Sequence, residues 1–408
     1  MGRILMRGGF FSLFLSLPLM KYDFDEPVIR RGTDCYKWDI DSPSDDIIPL
    51  WVADMDFRVA PKITSALQAR VAHGVFGYTK VPQSFYDAIT NWYSRRYGCE
   101  VQSDSILYTS GVVPAVSAII KALAGEDGCG VLMQTPAYNC FFSSIKNNKC
   151  HVVENRLVKN GDSYDIDFDD FEAKASLPET KIFLLCSPHN PVGRIWTRDE
   201  LRRMADICRR NGVTVVADEI HSGIIMPGHE FFPFAGIGDE YQDACVITSS
   251  CSKSFNLAGL QISYIIARNS KLRRAVDRAI NVNEVCDVNP FGVIALQVAF
   301  NECEDWLEEM CAYVKANHDY LSAFLSANMP GVSTLRLEAT YLAWLDCRRL
   351  GLSSERLGEL LLREARVRVS PGDIYGAPEG FIRLNLACPR AQLAEGLKRI
   401  AECLKIVK

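Results

Sequence analysis

Short apolar segments alternate with longer amphipathic segments through the middle of the chain. The apolar segments predict strands buried on both faces, and apolar positions spaced three or four residues apart predict helices between them. Thr197 and Glu200 form a capping-box pattern at one helix start. This alternation predicts right-handed βαβ units and a mostly parallel sheet. The predicted strands are 106–109, 131–133, 181–186, 213–217, 245–248 and 262–267, and the clearest helices among them are 113–123 and 198–210.

The C-terminal third has a different pattern, with fewer strands and longer helices. We expect a large α/β domain over residues 59–302 and a smaller α+β domain over residues 303–408. Residues 20–58 are expected to pack with the smaller domain or at the junction. The elements predicted in the last third are helices over 303–327, 353–366 and 390–404 and strands over 340–346 and 381–386.

The first nineteen residues resemble part of a signal peptide. Arg3 and Arg7 precede an apolar run over residues 10–19. The run is shorter than the roughly 20 residues that a spanning helix needs, and no small-residue cleavage site follows it. A second methionine, Met20, opens an ordinary polar sequence. We therefore interpret residues 1–19 as an over-extended gene start or a disordered tail, and we expect a cytoplasmic protein without a membrane segment.

Composition excludes several classes of function. Of the 408 residues, 48% are hydrophobic and 23% are charged, the formal net charge is -5, and no long basic block suggests nucleic-acid binding. The 15 cysteines are scattered without pairs at zinc spacing, which predicts buried, reduced thiols and no metal site. No GxGxxG motif follows the first strand, so an NAD-binding Rossmann enzyme is a weak alternative.

Polar residues follow the predicted strands, which is where parallel α/β sheets bind ligands. Lys253 lies in a run of hydroxyl residues that includes Ser250 and Ser252. A neutral lysine amine can attack a carbonyl, and the hydroxyls could hold a phosphate. Taken alone, this run is better explained as a solvated lysine in a serine-rich turn.

Two further motifs follow strands in the same way. Asp218 and His221 come after strand 213–217, and a buried carboxylate is costly unless it is paired, for example with a protonated pyridine nitrogen. A capping aspartate and a structural histidine are the ordinary alternatives. Asn190 lies between two prolines after strand 181–186, where it would present a rigid amide or simply form a tight turn.

A helix start and a strand supply two more candidates. Gly111 and Val112 lie between a predicted strand and helix, and backbone N–H groups there suit a phosphate. Arg383 lies in a predicted strand and could hold a carboxylate through two hydrogen bonds, although a surface or interface arginine would look the same. Each motif is weak alone, but their order and their positions at strand ends indicate one site.

In this order the motifs resemble those of the fold-type I pyridoxal-phosphate (PLP) enzymes, the aspartate-aminotransferase superfamily. More narrowly, they resemble its cystathionine β-lyase branch, which includes MalY, PatB and cystalysin. The resemblance covers nearly the whole chain from Met20. It implies a PLP-dependent transferase-like α/β fold, with a mostly parallel seven-stranded sheet in the large domain and a smaller α+β domain. The matching stretches are 53–57, 76–79, 135–138, 187–194, 218–221, 252–260 and 381–387, of which 252–260 is the most specific.

The resemblance implies a role for each candidate residue. Lys253 would carry PLP as a Schiff base, and Asp218 would pair with the pyridine nitrogen. Arg383 would bind the substrate carboxylate, with Ala53 and Tyr138 also lining the substrate pocket. The remaining cofactor-binding positions are Gly111, Val112, Ser250 and Ser252 at the phosphate, Tyr138, Asn190 and His221 around the ring, and Tyr78 reaching in from a neighbouring subunit.

The resemblance also implies an activity. A homodimer with active sites at the subunit interface would cleave L-cystathionine and cysteine-like substrates to a thiol, pyruvate and ammonia, with Lys253 taking the Cα proton. An aminotransferase of the same fold and a PLP-binding regulatory protein acting through protein contacts are the alternatives.

Two residues depart from the patterns of these families. Gln261 stands where aminotransferases usually carry a phosphate-binding arginine. The lyase branch also lacks that arginine, so Gln261 favours the lyase. Asn139 stands where some branch members carry an aromatic residue, which leaves the substrate range open.

Overall fold

The computed structural model describes residues 20–40, 46–282 and 287–406. The interpretation of residues 1–19 therefore concerns residues outside the described part. Among the described residues, no helix combines the length and the apolar character needed to cross a membrane.

Strands and helices alternate through the first two thirds of the chain, as the sequence predicts. The strands are β1 (Ile48–Pro49), β2 (Ile106–Thr109), β3 (Gly130–Thr135), β4 (His151–Arg156), β5 (Val158–Asn160), β6 (Ser163–Asp165), β7 (Thr180–Cys186), β8 (Thr214–Asp218), β9 (Cys245–Ser249), β10 (Ser263–Ile266), β11 (Ser333–Thr334), β12 (Leu342–Asp346), β13 (Val367–Arg368), β14 (Ser370–Pro371) and β15 (Phe381–Asn385). The α-helices are α1 (Pro61–His73), α2 (Gln83–Tyr97), α3 (Val112–Ala124), α4 (Asn139–Asn147), α5 (Phe168–Ala175), α6 (Arg198–Arg210), α7 (Ser270–Asn281), α8 (Pro290–Glu302), α9 (Glu304–Asn328), α10 (Ser354–Arg363) and α11 (Arg390–Ile406).

The central sheet has seven strands in the order β2-β10-β9-β8-β7-β3-β4. Strand β10 runs antiparallel to both of its neighbours, and the pairs from β9 to β4 are parallel. The predicted mostly parallel seven-stranded fold is confirmed. The carboxyl ends of the parallel strands meet at one edge, which is where the polar motifs follow.

Both faces of this sheet are buried, which explains the continuous apolar strands. In β7, Ile182 and Leu184 pack into one hydrophobic core, whereas Phe183 and Leu185 pack into the other. Because side chains alternate along a strand, a strand covered on both faces needs apolar residues at every position. Helices α3, α4 and α7 contribute to the first core, and α2, α6, α8 and α9 contribute to the second.

The C-terminal part contains a four-stranded antiparallel sheet in the order β11-β12-β15-β14. Strand β1 pairs in parallel with β13, so the N-terminal segment contacts this part of the chain. The domain boundaries at residues 59 and 303 stay a prediction.

Candidate active site

A cavity of about 320 Å³ opens at the carboxyl ends of the parallel strands. Residues that were far apart in the sequence meet there. Nine of the twelve predicted site residues line the cavity: Ala53, Gly111, Val112, Tyr138, Asn190, Asp218, His221, Ser252 and Lys253. The other three, Tyr78, Ser250 and Arg383, do not belong to its lining.

Lys253 presents its amine to this cavity from the turn after β9. Its Nζ donates a hydrogen bond to the carbonyl oxygen of Ala53 at 2.6 Å. Burial lowers the pKa of Lys253 to about 8, against the opposing attraction of the Asp54 carboxylate. A substantial fraction of the amine is therefore neutral near pH 8, which is the form that attacks a carbonyl or takes a proton.

Asp218 ends strand β8 and is only 3% exposed. One carboxylate oxygen accepts the backbone N–H of Ile220 at 3.0 Å. Burial raises the pKa of Asp218 to about 7, although this hydrogen bond and the charge of Lys253 both oppose the rise. A buried carboxylate with so little compensation is suited to receive a cationic group of a ligand.

His221 is buried beside these two groups and is neutral. Burial lowers its pKa to about 3, and the charges of Lys253 and Arg383 add to the effect. Its Nδ1 is buried without a hydrogen-bond partner in the structure. Because unsatisfied buried nitrogens are rare in native proteins, this atom indicates a missing polar partner in the cavity.

Arg383 lies behind the cavity wall on β15, 4% exposed. Its Nη1 donates to the amide oxygen of Asn190 at 3.1 Å, and its Nη2 donates to the carbonyl of Trp51 at 2.9 Å. The Nε atom is buried without a partner. The guanidinium thus keeps an unused donor, as a binder of a carboxylate requires.

The start of helix α3 lines part of the cavity. Ser110, Gly111 and Val112 line it where helix α3 begins, and no side chain caps that helix start. Ser250 accepts the backbone N–H of Ser252 at 2.9 Å and donates to the carbonyl of Ile262 at 2.6 Å, so it shapes the loop beside Ser252. An uncapped helix start favours an anion such as a phosphate.

Tyr138 and Tyr78 occupy very different surroundings. Tyr138 lines the cavity at the start of α4, and burial raises the pKa of its hydroxyl, so the phenol is neutral. Tyr78 is 98% exposed and lies outside the chain's own cavity. Its predicted role, which requires a second subunit, stays a prediction.

The sequence did not predict several residues that build the site. Cys186, Ile220, Ala258 and Ile262 line the cavity, as does Gln261. Asn256 has φ 57° and bonds the backbone of Met55 and Phe57, which ties the lysine turn to the cavity wall. Asparagine adopts a positive φ more readily than most residues, so an asparagine three residues after the lysine was an available signal of a special turn. Its distant partners were not visible in the sequence.

The residues of the cavity fit PLP. An uncapped helix start suits the phosphate, a buried carboxylate suits the pyridine nitrogen, and a lysine of lowered pKa suits the aldehyde. The Nδ1 of His221, which has no partner in the structure, is available to bond a polar group of such a ligand.

Comparison with known proteins gives a consistent result. A family model described as "Aminotransferase class I and II" matches residues 45–400. "Cystathionine beta-lyase PatB" of Bacillus subtilis is 40% identical over 386 residues, covering 94% of this chain and all of the relative. "Protein MalY" of Escherichia coli is 35% identical, covering 95% of this chain and all of the relative.

The solved structure of cystalysin from Treponema denticola, which contains pyridoxal 5'-phosphate, is similar in fold. The two structures agree with a TM-score of 0.92 at 32% identity, over 95% of this chain and all of the cystalysin chain. The family predicted from the motifs is thus confirmed, and the chain belongs to the class I and II aminotransferase family.

Proposed function

We propose that the protein is a PLP-dependent carbon–sulfur β-lyase that cleaves L-cystathionine and related cysteine derivatives to a thiol, pyruvate and ammonia. The observation that carries this proposal is the 40% identity to a cystathionine β-lyase along that relative's whole length. Gln261, in place of the arginine that is usual in aminotransferases, supports it. The overall reaction with cystathionine consumes one water and releases homocysteine as the thiol.

Lys253 is the catalytic residue of this proposal. PLP, when bound, supplies an electron sink for the electron pair released at the substrate Cα. The Lys253 amine, whose pKa burial lowers to about 8, takes the proton from Cα and is then charged. The same ammonium can return a proton to the thiolate that leaves Cβ.

The other side chains would bind and orient the substrate and the cofactor. Arg383 would hold the substrate carboxylate, and its Nε is a donor without a partner in the structure. Asp218 would hold a proton on the pyridine nitrogen, because a buried carboxylate stabilises a cation placed against it. Tyr138 supplies an aromatic wall of the cavity.

The test is to incubate the purified protein and PLP with L-cystathionine without any keto acid. Stoichiometric thiol and pyruvate are expected. Activity that appears only when a keto acid is added would favour the aminotransferase. Negligible turnover, together with partner binding that survives Lys253→Ala, would favour the regulatory protein.

The Arg383→Lys variant tests the binding of the substrate carboxylate. Lysine keeps the charge but loses the planar pair of donors, so KM for cystathionine is expected to rise about 10- to 100-fold while kcat changes little. Steady-state kinetics measure both. Arg349→Lys, at an exposed arginine, is the control and should match the wild type. A KM within twofold of the wild-type value would remove Arg383 from substrate binding.

We further propose a cytoplasmic homodimer. Val71, Val75 and Phe76 are apolar side chains more than half exposed near the fully exposed Tyr78, and exposed apolar patches are typical of subunit interfaces. This placement supports the proposal that Tyr78 of one subunit reaches the cofactor phosphate bound by the other subunit. The described cysteines are free thiols, which suits a reducing compartment.

Tyr78→Phe removes only the hydroxyl proposed to reach the cofactor phosphate. A hydrogen bond to a charged group contributes about 1.5–3 kcal/mol, so the affinity for PLP is expected to fall about 10- to 100-fold. Titration of the apoprotein measures this, and sedimentation should give twice the chain mass. Tyr36→Phe is the matched control at another exposed tyrosine (67%) and should leave the affinity unchanged. A monomeric protein, or equal affinities for both variants, would argue against the shared site.

A further inference from the structure

Ala53, which lines the cavity, lies in a loop without helix or strand, residues 51–57, which we call the 51–57 loop. Its backbone carbonyls bond the two cationic groups of the site. Lys253 donates to the carbonyl of Ala53 at 2.6 Å, and Arg383 donates to that of Trp51 at 2.9 Å. The loop therefore supplies a hydrogen-bond acceptor to both the amine and the guanidinium.

Buried charges hold the loop at its far end. The carboxylate of Asp56, 3% exposed, accepts from Lys37 Nζ at 2.8 Å and from Arg30 Nη1 at 2.7 Å. Trp38 Nε1 and Gln392 Nε2 each donate to the same carboxylate at 2.9 Å. The Lys37 side chain is completely buried. We call these five residues the Asp56 cluster.

Arg30 and Lys37 of the Asp56 cluster also form hydrogen bonds with the neighbouring residues of the loop. Arg30 donates to the carboxylate of Asp54 at 2.6 Å and to the carbonyl of Met55 at 3.0 Å. Lys37 Nζ lies 3.3 Å from the carbonyl of Asp54. Three consecutive loop residues are thus fixed by directional, charge-assisted bonds.

Stability alone is a poor explanation of this cluster. Burial would raise the pKa of Asp56, but Lys37, Trp38 and Arg30 outweigh it and hold the pKa below its ordinary value. Apolar residues in place of a buried ion pair often stabilise a fold as well or better, so the cluster is weak evidence for a stabilising role alone. Directional bonds to a loop backbone instead fix its position.

We propose that the Asp56 cluster is a positioning device for the active site. Asp56, Lys37 and Arg30 hold the 51–57 loop so that the carbonyls of Ala53 and Trp51 place Lys253 and Arg383. The cluster acts through the loop, because its own side chains lie outside the cavity lining. The kinetic consequence rests on the proposed lyase function, whereas the structural consequence does not.

Asp56→Asn tests the proposal, because it keeps the size of the side chain and weakens its bonds to both cations. Hydrogen exchange of a peptide covering the 51–57 loop should become about tenfold faster, with β7 and β8 unchanged. The affinity for PLP should fall and KM for cystathionine should rise, each about tenfold, because the Lys253 amine and the Arg383 guanidinium lose acceptors that are fixed in position. Trp38→Phe removes one donor to the same carboxylate and should give a smaller change in the same direction. Trp38→Phe replaces Asp56→Asn as the test if the Asp56→Asn variant does not fold.

Arg58→Gln is the matched control. It breaks the Arg58–Glu26 pair, which joins the same two segments at 2.8 Å but is exposed (66% and 42%). All readouts should stay at wild-type values in this variant.

Three results would overturn the positioning role. One is unchanged exchange over the loop in a folded Asp56→Asn variant, and another is exchange that rises equally in loop and sheet. The third is faster loop exchange with unchanged PLP affinity and KM. A wild-type protein without lyase activity would contradict the proposed function only, because loop exchange and PLP affinity need no turnover.

Discussion

Lys253→Ala is expected to lower kcat for cystathionine cleavage about a thousandfold or more, within the range that loss of a general acid–base group produces. The variant loses the amine that binds the cofactor aldehyde and the base that takes the Cα proton. Initial rates of pyruvate release measure the effect, and added small primary amines should restore part of it. Thermal unfolding should confirm that the variant is folded.

Lys271→Ala is the control for this variant, because it removes an exposed lysine at the start of α7. It should keep wild-type rates. If Lys253→Ala retained activity within tenfold of the wild type, another group would have to take the Cα proton, and the assignment of Lys253 would fail.

Asp218→Asn is expected to have the second-largest effect. Asparagine has nearly the same shape but cannot carry the charge that stabilises a pyridinium. Breaking such a buried pair costs about 3–5 kcal/mol, which corresponds to a loss of about 10²- to 10⁴-fold in rate or cofactor affinity. Titration of the apoprotein with PLP and steady-state kinetics measure the two contributions.

The same substitution should stabilise the apoprotein at neutral pH. The pKa of Asp218 rises from 3.8 in the unfolded chain to about 7 in the folded protein. Between these values the folded state holds a proton that the unfolded state releases, so the free energy of unfolding falls as pH rises from about 4 to 7. Asp218→Asn removes this loss, which amounts to roughly 2–4 kcal/mol above pH 7.

Denaturant unfolding of both apoproteins at pH 5 and pH 8 checks the sign. The variant's advantage in stability should be larger at pH 8. Burial raises the pKa of Glu219 to about 8, and the charge of Asp218 adds to this rise. Asp218→Asn removes that charge, so the change at Glu219 increases the variant's advantage at pH 8 and has the same sign. A variant less stable than the wild type at pH 8 would show that Asp218 has a favourable partner in the apoprotein.

Much of the fold follows from local patterns in the sequence. The continuous apolar segment at 181–186 became β7, and the capping box at Thr197 and Glu200 marked the start of α6, whose predicted bounds agree with the observed ones. Both signals are strong because burial on two faces and helix capping each act within a few residues. No helix was predicted within residues 61–97, yet this range contains α1 and α2. Helix α1 fully buries only Ile63, so its amphipathic signal is weak.

The site was predictable in its residues but not in its contacts. Lys253 and Asp218 follow strands whose carboxyl ends must meet, so their proximity could be inferred from topology. The bond from Lys253 to Ala53 joins residues 200 positions apart, and the bond from Arg383 to Trp51 spans 332 positions. No local pattern encodes such pairs, because they arise only when the N-terminal segment packs on the completed sheet. The ion pairs of Lys37 and Asp56 were missed for the same reason.

Peptide mapping after borohydride reduction of the PLP-loaded protein tests the central claim most directly. Borohydride makes the bond between a lysine and the cofactor permanent, so mass spectrometry can locate it. One cofactor per chain is expected, attached to the peptide that contains Lys253, and the visible absorption band of the bound cofactor should disappear. Attachment to a different lysine, or a reconstituted protein that binds no PLP, would contradict it.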